Sequence, residues 1–171
     1  MVDEKRQMLR FPVVSEGAEY LVIGHLMRRN IMTFKAPPQN EGYDLVCIHP
    51  DSHHRVRKGQ KAHVRIQVKS RYQTDCDKGF PIKESSLEAF DFLVIAFLNI
   101  GEFFRGRDGS RGSTAPEFYT LTRKIIRKLH DTSSSWQKVR LGGQERMLSR
   151  YKDDLGFELI AKELGVPRPT R

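Results

Sequence analysis

A near-continuous apolar run at residues 90–99 constrains the fold more than any other part of the sequence. It reads Phe-Asp-Phe-Leu-Val-Ile-Ala-Phe-Leu-Asn, and only Asp91 and Asn99 are polar. A strand that is apolar on both faces is typical of a sheet whose two sides are both covered. We therefore expect a layered α/β domain built around this strand. A position at the strand end accounts for Asp91, which we leave out of the candidate site.

Two further segments, residues 43–48 and 62–70, have the apolar content and alternation of strands. Side chains two apart in a strand point to the same face, so Gln67 and Lys69 project together. If the two strands are neighbours, the carboxylate of Asp44, at the start of the first strand, lies close to Gln67 and Lys69. Two oxygen ligands and an ammonium group in one pocket suit a hard cation beside an attacking water.

An amphipathic pattern predicts a helix over residues 16–29, with Ser15 as its cap. Glu19 lies at the edge of the apolar face of this helix, which is formed by Val22, Ile23 and Leu26. An acid at that position has two explanations, a metal site or the favourable field of the helix N-terminus. The second explanation applies even more strongly to Glu16.

Taken in order, Glu19 on a helix, Asp44, and Gln67-Val68-Lys69 on a strand resemble the PD-(D/E)XK nuclease superfamily. The sequence is most similar to the branch in which Gln replaces the second acid, as in some group I intron-encoded homing endonucleases. The similarity runs from about residue 15 to residue 98. The motif is short and degenerate, so its specificity depends on the order and context of these residues.

The resemblance implies an α/β fold with a restriction endonuclease-like core. Such a core is a central mixed β-sheet flanked by helices, in the order α-β-β-β-α-β. We expect a flexible N-terminal segment at residues 1–14 and the nuclease core at residues 15–130. Residues 131–171 are expected to form a helical extension packed on the core, in which Trp136 is a core residue because large aromatic side chains dominate packing.

The resemblance also implies a divalent-metal-dependent endonuclease that hydrolyses phosphodiester bonds in DNA. Its catalytic residues would be Glu19, Asp44, Gln67 and Lys69. The Mg²⁺ ligands would be Asp44, Gln67, the Val68 carbonyl and Glu19, and Mn²⁺ can substitute for Mg²⁺. Gln is neutral, so this site has one negative charge fewer than an Asp or Glu version, and its metal affinity is expected to be weaker.

Charge favours an anionic partner. The 171-residue chain has 30 Lys and Arg against 21 Asp and Glu, a net charge of +9. Nine of these cations lie between Arg55 and Lys83, a run suited to neutralising phosphates but also typical of a solvated surface. Double-stranded DNA is the first candidate partner, ahead of an acidic protein or an anionic membrane. RNA is not excluded as a substrate.

Two other functional classes remain open. The first is a catalytically inactive DNA-binding or assembly module with the same fold. The second is a plain α/β domain in which Lys69 and Asp44 form a structural ion pair. A zinc site at Cys47, His49, His53 and His54 is a weaker alternative, because these spacings match no zinc finger or ribbon.

The remaining features point to a cytoplasmic protein without a small-molecule cofactor. Only Cys47 and Cys76 are present, which suggests a reduced chain rather than a disulfide scaffold. No apolar run approaches membrane-spanning length, and the charged N-terminal residues lack a signal-peptide core. Cutting both strands of a duplex needs two active sites, so a homodimer is consistent with this function.

Overall fold

The computed structural model describes residues 13–72, 78–101 and 112–168. The predicted flexible segment at residues 1–14 lies outside this part of the chain, except for its last two residues. The helices are α1 (Val14–Met27), α2 (Arg123–Leu129), α3 (Glu145–Leu148) and α4 (Asp153–Leu164). The strands are β1 (Met32–Lys35), β2 (Leu45–Ile48), β3 (His63–Arg71), β4 (Gly79–Pro81), β5 (Phe92–Phe97), β6 (Glu117–Thr122), β7 (His130–Asp131) and β8 (Lys138–Arg140). No helix of the described ranges is long and apolar enough to cross a membrane.

The main sheet has five strands in the order β1-β2-β3-β5-β6. The first three strands form an antiparallel meander, β3 and β5 are parallel, and β6 returns antiparallel to β5. In the register, Leu45 faces Ile66, and Lys69 faces Ile95. The sheet is therefore mixed, as predicted, and the start of β2 lies beside the middle of β3.

Strand β5 is buried on both faces, as predicted. All six of its residues are buried. Side chains alternate across a strand, so the two faces of β5 enter two different cores. Phe92, Val94 and Ala96 lie in the first core, whereas Leu93, Ile95 and Phe97 lie in the second.

The first core lies between the sheet and the helices α1 and α4. Helix α1 buries one residue per turn, Ala18, Val22 and Leu26, against the inward side chains of β3. These β3 residues are Val64, Ile66 and Val68. Helix α4, in the segment expected to be a C-terminal extension, contributes Phe157, Ile160, Ala161 and Leu164 to the same core.

The second core lies on the other face of the sheet. A small sheet of order β4-β8-β7 covers this face together with α2. Phe80 and Val139 from the small sheet are fully buried there, beside Ile126 from α2. Since Gln67 and Lys69 alternate with the first-core residues of β3, they lie on this second face.

Two expectations about helices are wrong. Ser15 does not cap α1, because the helix begins at Val14 and its N-cap Val13 makes no side-chain cap hydrogen bond. The α-helix expected between the third and fourth strands of the predicted order is replaced by β4 and a single 3₁₀ turn at Glu84–Ser86. Leu87 and Phe90 are both buried in the second core. Their burial holds this short connection against the sheet, so the connection does not continue as a helix.

Candidate active site

Asp44 is fixed at the junction of β2 and β3. Its backbone N–H donates to Ile66 O (2.8 Å), and its carbonyl accepts from Ala36 N (2.7 Å). Its side-chain Oδ2 accepts two further hydrogen bonds, from Val68 N (2.6 Å) and from Gln67 Nε2 (2.5 Å). The regular pairing of β2 starts at Leu45, so the Val68 N–H lies just beyond it and is available to the carboxylate. The structure therefore brings together Asp44, Gln67 and Val68, as the sequence predicted.

Gln67 presents its amide nitrogen, rather than its oxygen, to Asp44. Nε2 donates to the carboxylate and lies 3.5 Å from Val68 O. The Gln amide carries both a donor and an acceptor, and rotation about its last side-chain bond exchanges the two. The amide thus satisfies the half-buried carboxylate in this conformation, and a half-turn would direct Oε1 to the same position.

Lys69 is the next residue on this face of β3, and its ammonium group has no hydrogen bond or ion pair with any residue that the structure describes. It lines a cleft of about 450 Å³ that also includes Gly42, Gln67, Ile82, Lys83 and Trp136. A half-buried ammonium without a partner among these residues is available to an anion that enters the cleft. In particular, Lys69 does not pair with Asp44.

Glu19 is engaged elsewhere. Its carboxylate lies 3.1 Å from Lys35 Nζ, and Glu16 lies 3.0 Å from the same ammonium. The hydrogen bonds that Lys35 donates to Glu16 and to Glu19 raise the pKa of its ammonium above the ordinary value. Lys35 is the last residue of β1 and precedes Ala36, which bonds to the Asp44 carbonyl. Glu19 is therefore at the same end of the sheet as Asp44, but a lysine holds it.

The ligands available at Asp44 are oxygens. They comprise one carboxylate, the Gln67 amide oxygen after rotation, and the Val68 carbonyl. No cluster of three or more His, Cys, Asp or Glu side chains suited to a metal lies within residues 13–72, 78–101 and 112–168. Mg²⁺ is often held by one or two carboxylates and completes its shell with water and substrate phosphate oxygens. This donor set could bind Mg²⁺ or Mn²⁺ with modest affinity, and it does not suit a softer metal.

Much of the basic run serves the fold. Lys61 and Arg65 both bond to the buried Asp91, and Arg71 donates to the Gly79 carbonyl. Lys78 pairs with Glu145. By contrast, Lys69 and Lys83 line the cleft, and neither has an ion pair with a described residue. Lys69 and Lys83 thus present positive charge at the cleft, while Arg55, Arg57 and Lys58 of the same run are exposed outside it.

The geometry gives the zinc alternative little support. Cys47 is fully buried, and its sulfur lies 3.5 Å from Thr33 Oγ1. Burial raises the pKa of this thiol to about 12, so the thiolate that zinc requires is strongly disfavoured. His49 and His54 stack on each other with ring centroids 3.7 Å apart. The imidazoles pack together instead of converging with the sulfur on a common point.

Trp136 was predicted to be a core residue, and that prediction is wrong. Its side chain is 66% exposed and lines the cleft that contains Lys69. It follows a run of serines at 133, 134 and 135, between β7 and β8. Serines compete with regular structure for backbone hydrogen bonds and favour turns. That run was the sequence signal for an exposed loop, and it outweighs the general tendency of tryptophan to be buried.

Comparison with models of known protein families, with curated proteins and with solved structures finds no match to this chain.

Proposed function

We propose that the chain is a divalent-metal-dependent endonuclease that hydrolyses phosphodiester bonds in DNA and has a restriction endonuclease-like core. One observation carries the proposal. Asp44, just before β2, contacts Gln67 of β3, and Lys69, which has no ion pair with a described residue, follows on the same face beside an open cleft. The mixed order of the sheet, with β3 and β5 parallel, is consistent with that core.

Each residue of the set has a defined task. Asp44, the Gln67 oxygen and the Val68 carbonyl would hold the cation, with Glu19 acting directly or through water. When bound, the cation polarises the scissile phosphate and lowers the pKa of a water molecule. Lys69 orients that water and stabilises the negative charge that develops on the phosphate. Asp44 needs no large movement, because its backbone is bonded to both flanking segments.

The absence of an ion pair between Lys69 and Asp44 argues against the plain structural domain. In that alternative Lys69 would neutralise Asp44, but the Gln67 amide and the Val68 N–H satisfy the carboxylate instead. The Lys69 ammonium lines the open cleft and can donate its hydrogen bonds to an anion that enters it. This arrangement supports a ligand-binding role for Lys69 rather than a structural ion pair with Asp44.

A non-cleaving DNA-binding or assembly module is the second candidate. One observation favours it: the Gln67 amide already satisfies Asp44 without a cation. In this alternative the cleft binds phosphates through Lys69 and Lys83, and the carboxylate only positions β3. The two candidates therefore differ in whether divalent metal changes what the protein does to DNA.

Plasmid cleavage tests the proposal. The wild type is incubated with supercoiled DNA and Mg²⁺ or Mn²⁺ over a salt series, beside Asp44→Asn and Lys69→Ala. Lys162→Ala is the charge-matched control, because Lys162 is exposed on α4, which packs on the opposite face of the sheet. We expect metal-dependent nicking, a loss of at least about 100-fold in both site variants, and wild-type activity in the control. Thermal unfolding checks that each variant remains folded.

The outcomes separate the candidates. Cleavage that EDTA abolishes and that both site variants lose supports the endonuclease. DNA binding without cleavage of plasmid or branched DNA, unchanged by Asp44→Asn, refutes catalysis and leaves the binding module. No salt-sensitive DNA binding at all refutes both candidates.

A further inference from the structure

The cleft beside Lys69 contains an aromatic surface that the proposed cleavage reaction does not use. Its volume of about 450 Å³ falls in the range of about 300–1,000 Å³ typical of sites for small ligands. One wall is the candidate catalytic strand, with Gln67 and Lys69, and another includes Ile82 and the indole of Trp136. A ligand here would contact the proposed active site and the indole together.

The indole has no stacking partner among the described residues, although its loop is held in place. No described side chain stacks on Trp136, which is 66% exposed. At the start of the loop, Asp131 accepts from the Ser133 hydroxyl (2.6 Å) and from Arg140 Nε (2.7 Å). At its end, Gln137 accepts from Ile82 N and Glu84 N. A ring presented by a fixed backbone loses little conformational entropy when a ligand stacks on it.

The positive charge in the cleft indicates that its ligand has an anionic part. Lys69 and Lys83 both line it, and no ion pair joins either one to a described carboxylate. Two ammonium groups next to an apolar ring suit a ligand that combines an anionic part with a flat aromatic part. A nucleotide has both, whereas the base pairs of an intact duplex keep their flat faces covered by stacking. The cleft therefore favours a nucleotide that has left the stack.

We propose that this cleft binds one unpaired nucleotide of DNA, with its base stacked on Trp136 and its phosphates against Lys69 and Lys83. This inference rests on the proposed function in taking DNA as the ligand, and it names the substrate class. The site acts on single-stranded, branched or locally unpaired DNA in preference to an intact duplex. Trp136 sets this specificity, because aromatic stacking needs an accessible base face but no particular sequence.

Intrinsic fluorescence tests the stacking directly, because Trp136 is the only tryptophan in the chain. The full chain is titrated in EDTA, which prevents cleavage, with oligothymidylate, an abasic strand of equal length and a blunt duplex of equal length. We expect oligothymidylate to quench the emission, the abasic strand to bind without quenching, and the duplex to quench weakly. Trp136→Ala should weaken oligothymidylate binding roughly 5- to 150-fold and leave abasic binding unchanged.

Two further variants separate stacking from charge and from misfolding. Trp136→Phe retains an aromatic ring and should recover most of the affinity for oligothymidylate. Lys83→Ala should weaken binding of the base-containing and abasic strands alike and reduce the salt slope by about one phosphate contact. Fluorescence anisotropy of labelled strands measures all variants on one scale.

Failure of this inference is distinguishable from failure of the proposed function. Equal affinity of Trp136→Ala and wild type for oligothymidylate overturns the stacking site, even if the protein cleaves plasmid. Equal quenching by the abasic strand overturns it as well. Base-dependent quenching without any metal-dependent cleavage supports the stacking site and leaves the non-cleaving module as the function.

Discussion

Asp91 is the one charged residue that is buried among those the structure describes. Its side chain is only 7% exposed and accepts hydrogen bonds from Lys61 Nζ (2.9 Å), Arg65 N (2.8 Å) and Arg123 Nη2 (3.2 Å). These donors come from the residues before β3, from β3 itself and from the start of α2. Asp91 thus links three parts of the chain at the point where β5 begins.

Replacing this carboxylate by an isosteric amide should be costly. Asp91→Asn keeps the size of the side chain but leaves Lys61, Arg65 and Arg123 around a neutral group. The three cations are partly exposed, and Lys61 and Arg123 keep Glu163 and Glu88 as partners, so the expected loss is that of the hydrogen bonds to the carboxylate, about 1–3 kcal/mol. For a chain of this size, that corresponds to a fall of roughly 2–12 °C in Tm.

The loss of stability caused by Asp91→Asn should depend on pH. Burial acts to raise the pKa of Asp91, but the Arg65 N–H and the Lys61 ammonium outweigh it and hold the pKa below its ordinary value. The carboxylate therefore contributes its full stability above the unfolded pKa of about 3.9, and that contribution is lost as pH falls through the folded pKa. Asparagine does not titrate, so the difference between the wild type and Asp91→Asn should shrink below about pH 4.

Urea and thermal unfolding of both proteins, followed by circular dichroism at neutral and acidic pH, measure the effect. Glu88→Gln is the matched control: Glu88 also pairs with Arg123, but its side chain is 66% exposed. Glu88→Gln should lower the free energy of unfolding by less than about 1 kcal/mol, because solvent screens exposed ion pairs. A loss below about 1 kcal/mol for Asp91→Asn, or a loss that does not diminish in acid, would refute the reasoning.

Three further predictions follow from the packing and the ion pairs. Burial raises the pKa of the Cys47 thiol to about 12. In a variant with Cys76 replaced by Ser, Cys47 should therefore resist a thiol reagent at neutral pH until urea unfolds the chain. Fast modification of the native variant would contradict this prediction. Gly156→Ala should lower the free energy of unfolding by about 1–3 kcal/mol, because the added Cβ collides with the Tyr151 carbonyl. Gly24→Ala, where nothing lies within 4 Å of the added Cβ, should raise it by up to about 1 kcal/mol. Thermal unfolding that gives the reverse order would contradict this explanation. If Glu19 serves a metal site, Lys35→Gln should release it and lower the Mg²⁺ concentration needed for half-maximal cleavage, while an unchanged Mg²⁺ dependence indicates that Glu19 only pairs with Lys35.

The sequence predicted the parts of the fold that local patterns control. Alternation in β3 placed Gln67 and Lys69 on one face, and the apolar run identified β5, because both signals depend only on neighbouring residues. The sequence could not show that the Gln67 amide faces Asp44 or that Lys35 holds Glu19, since these contacts join residues distant in the chain. The serine run at residues 133–135 is a local signal that Trp136 is exposed, but its place in the cleft depends on the pairing of β4 with β8, which are distant in sequence.

The shared core of α1 and α4 has a consequence for how the chain folds. Phe157 of α4 packs on Phe118 of β6, with ring centroids 5.6 Å apart, in the same core as Leu26 of α1. Local pairings such as the β1–β2–β3 meander close short loops, but this core joins residues from both ends of the described chain. Contacts of such long sequence separation slow folding. Until α4 docks, a nascent chain leaves apolar side chains of α1 and β6 uncovered, so α4 completes this core.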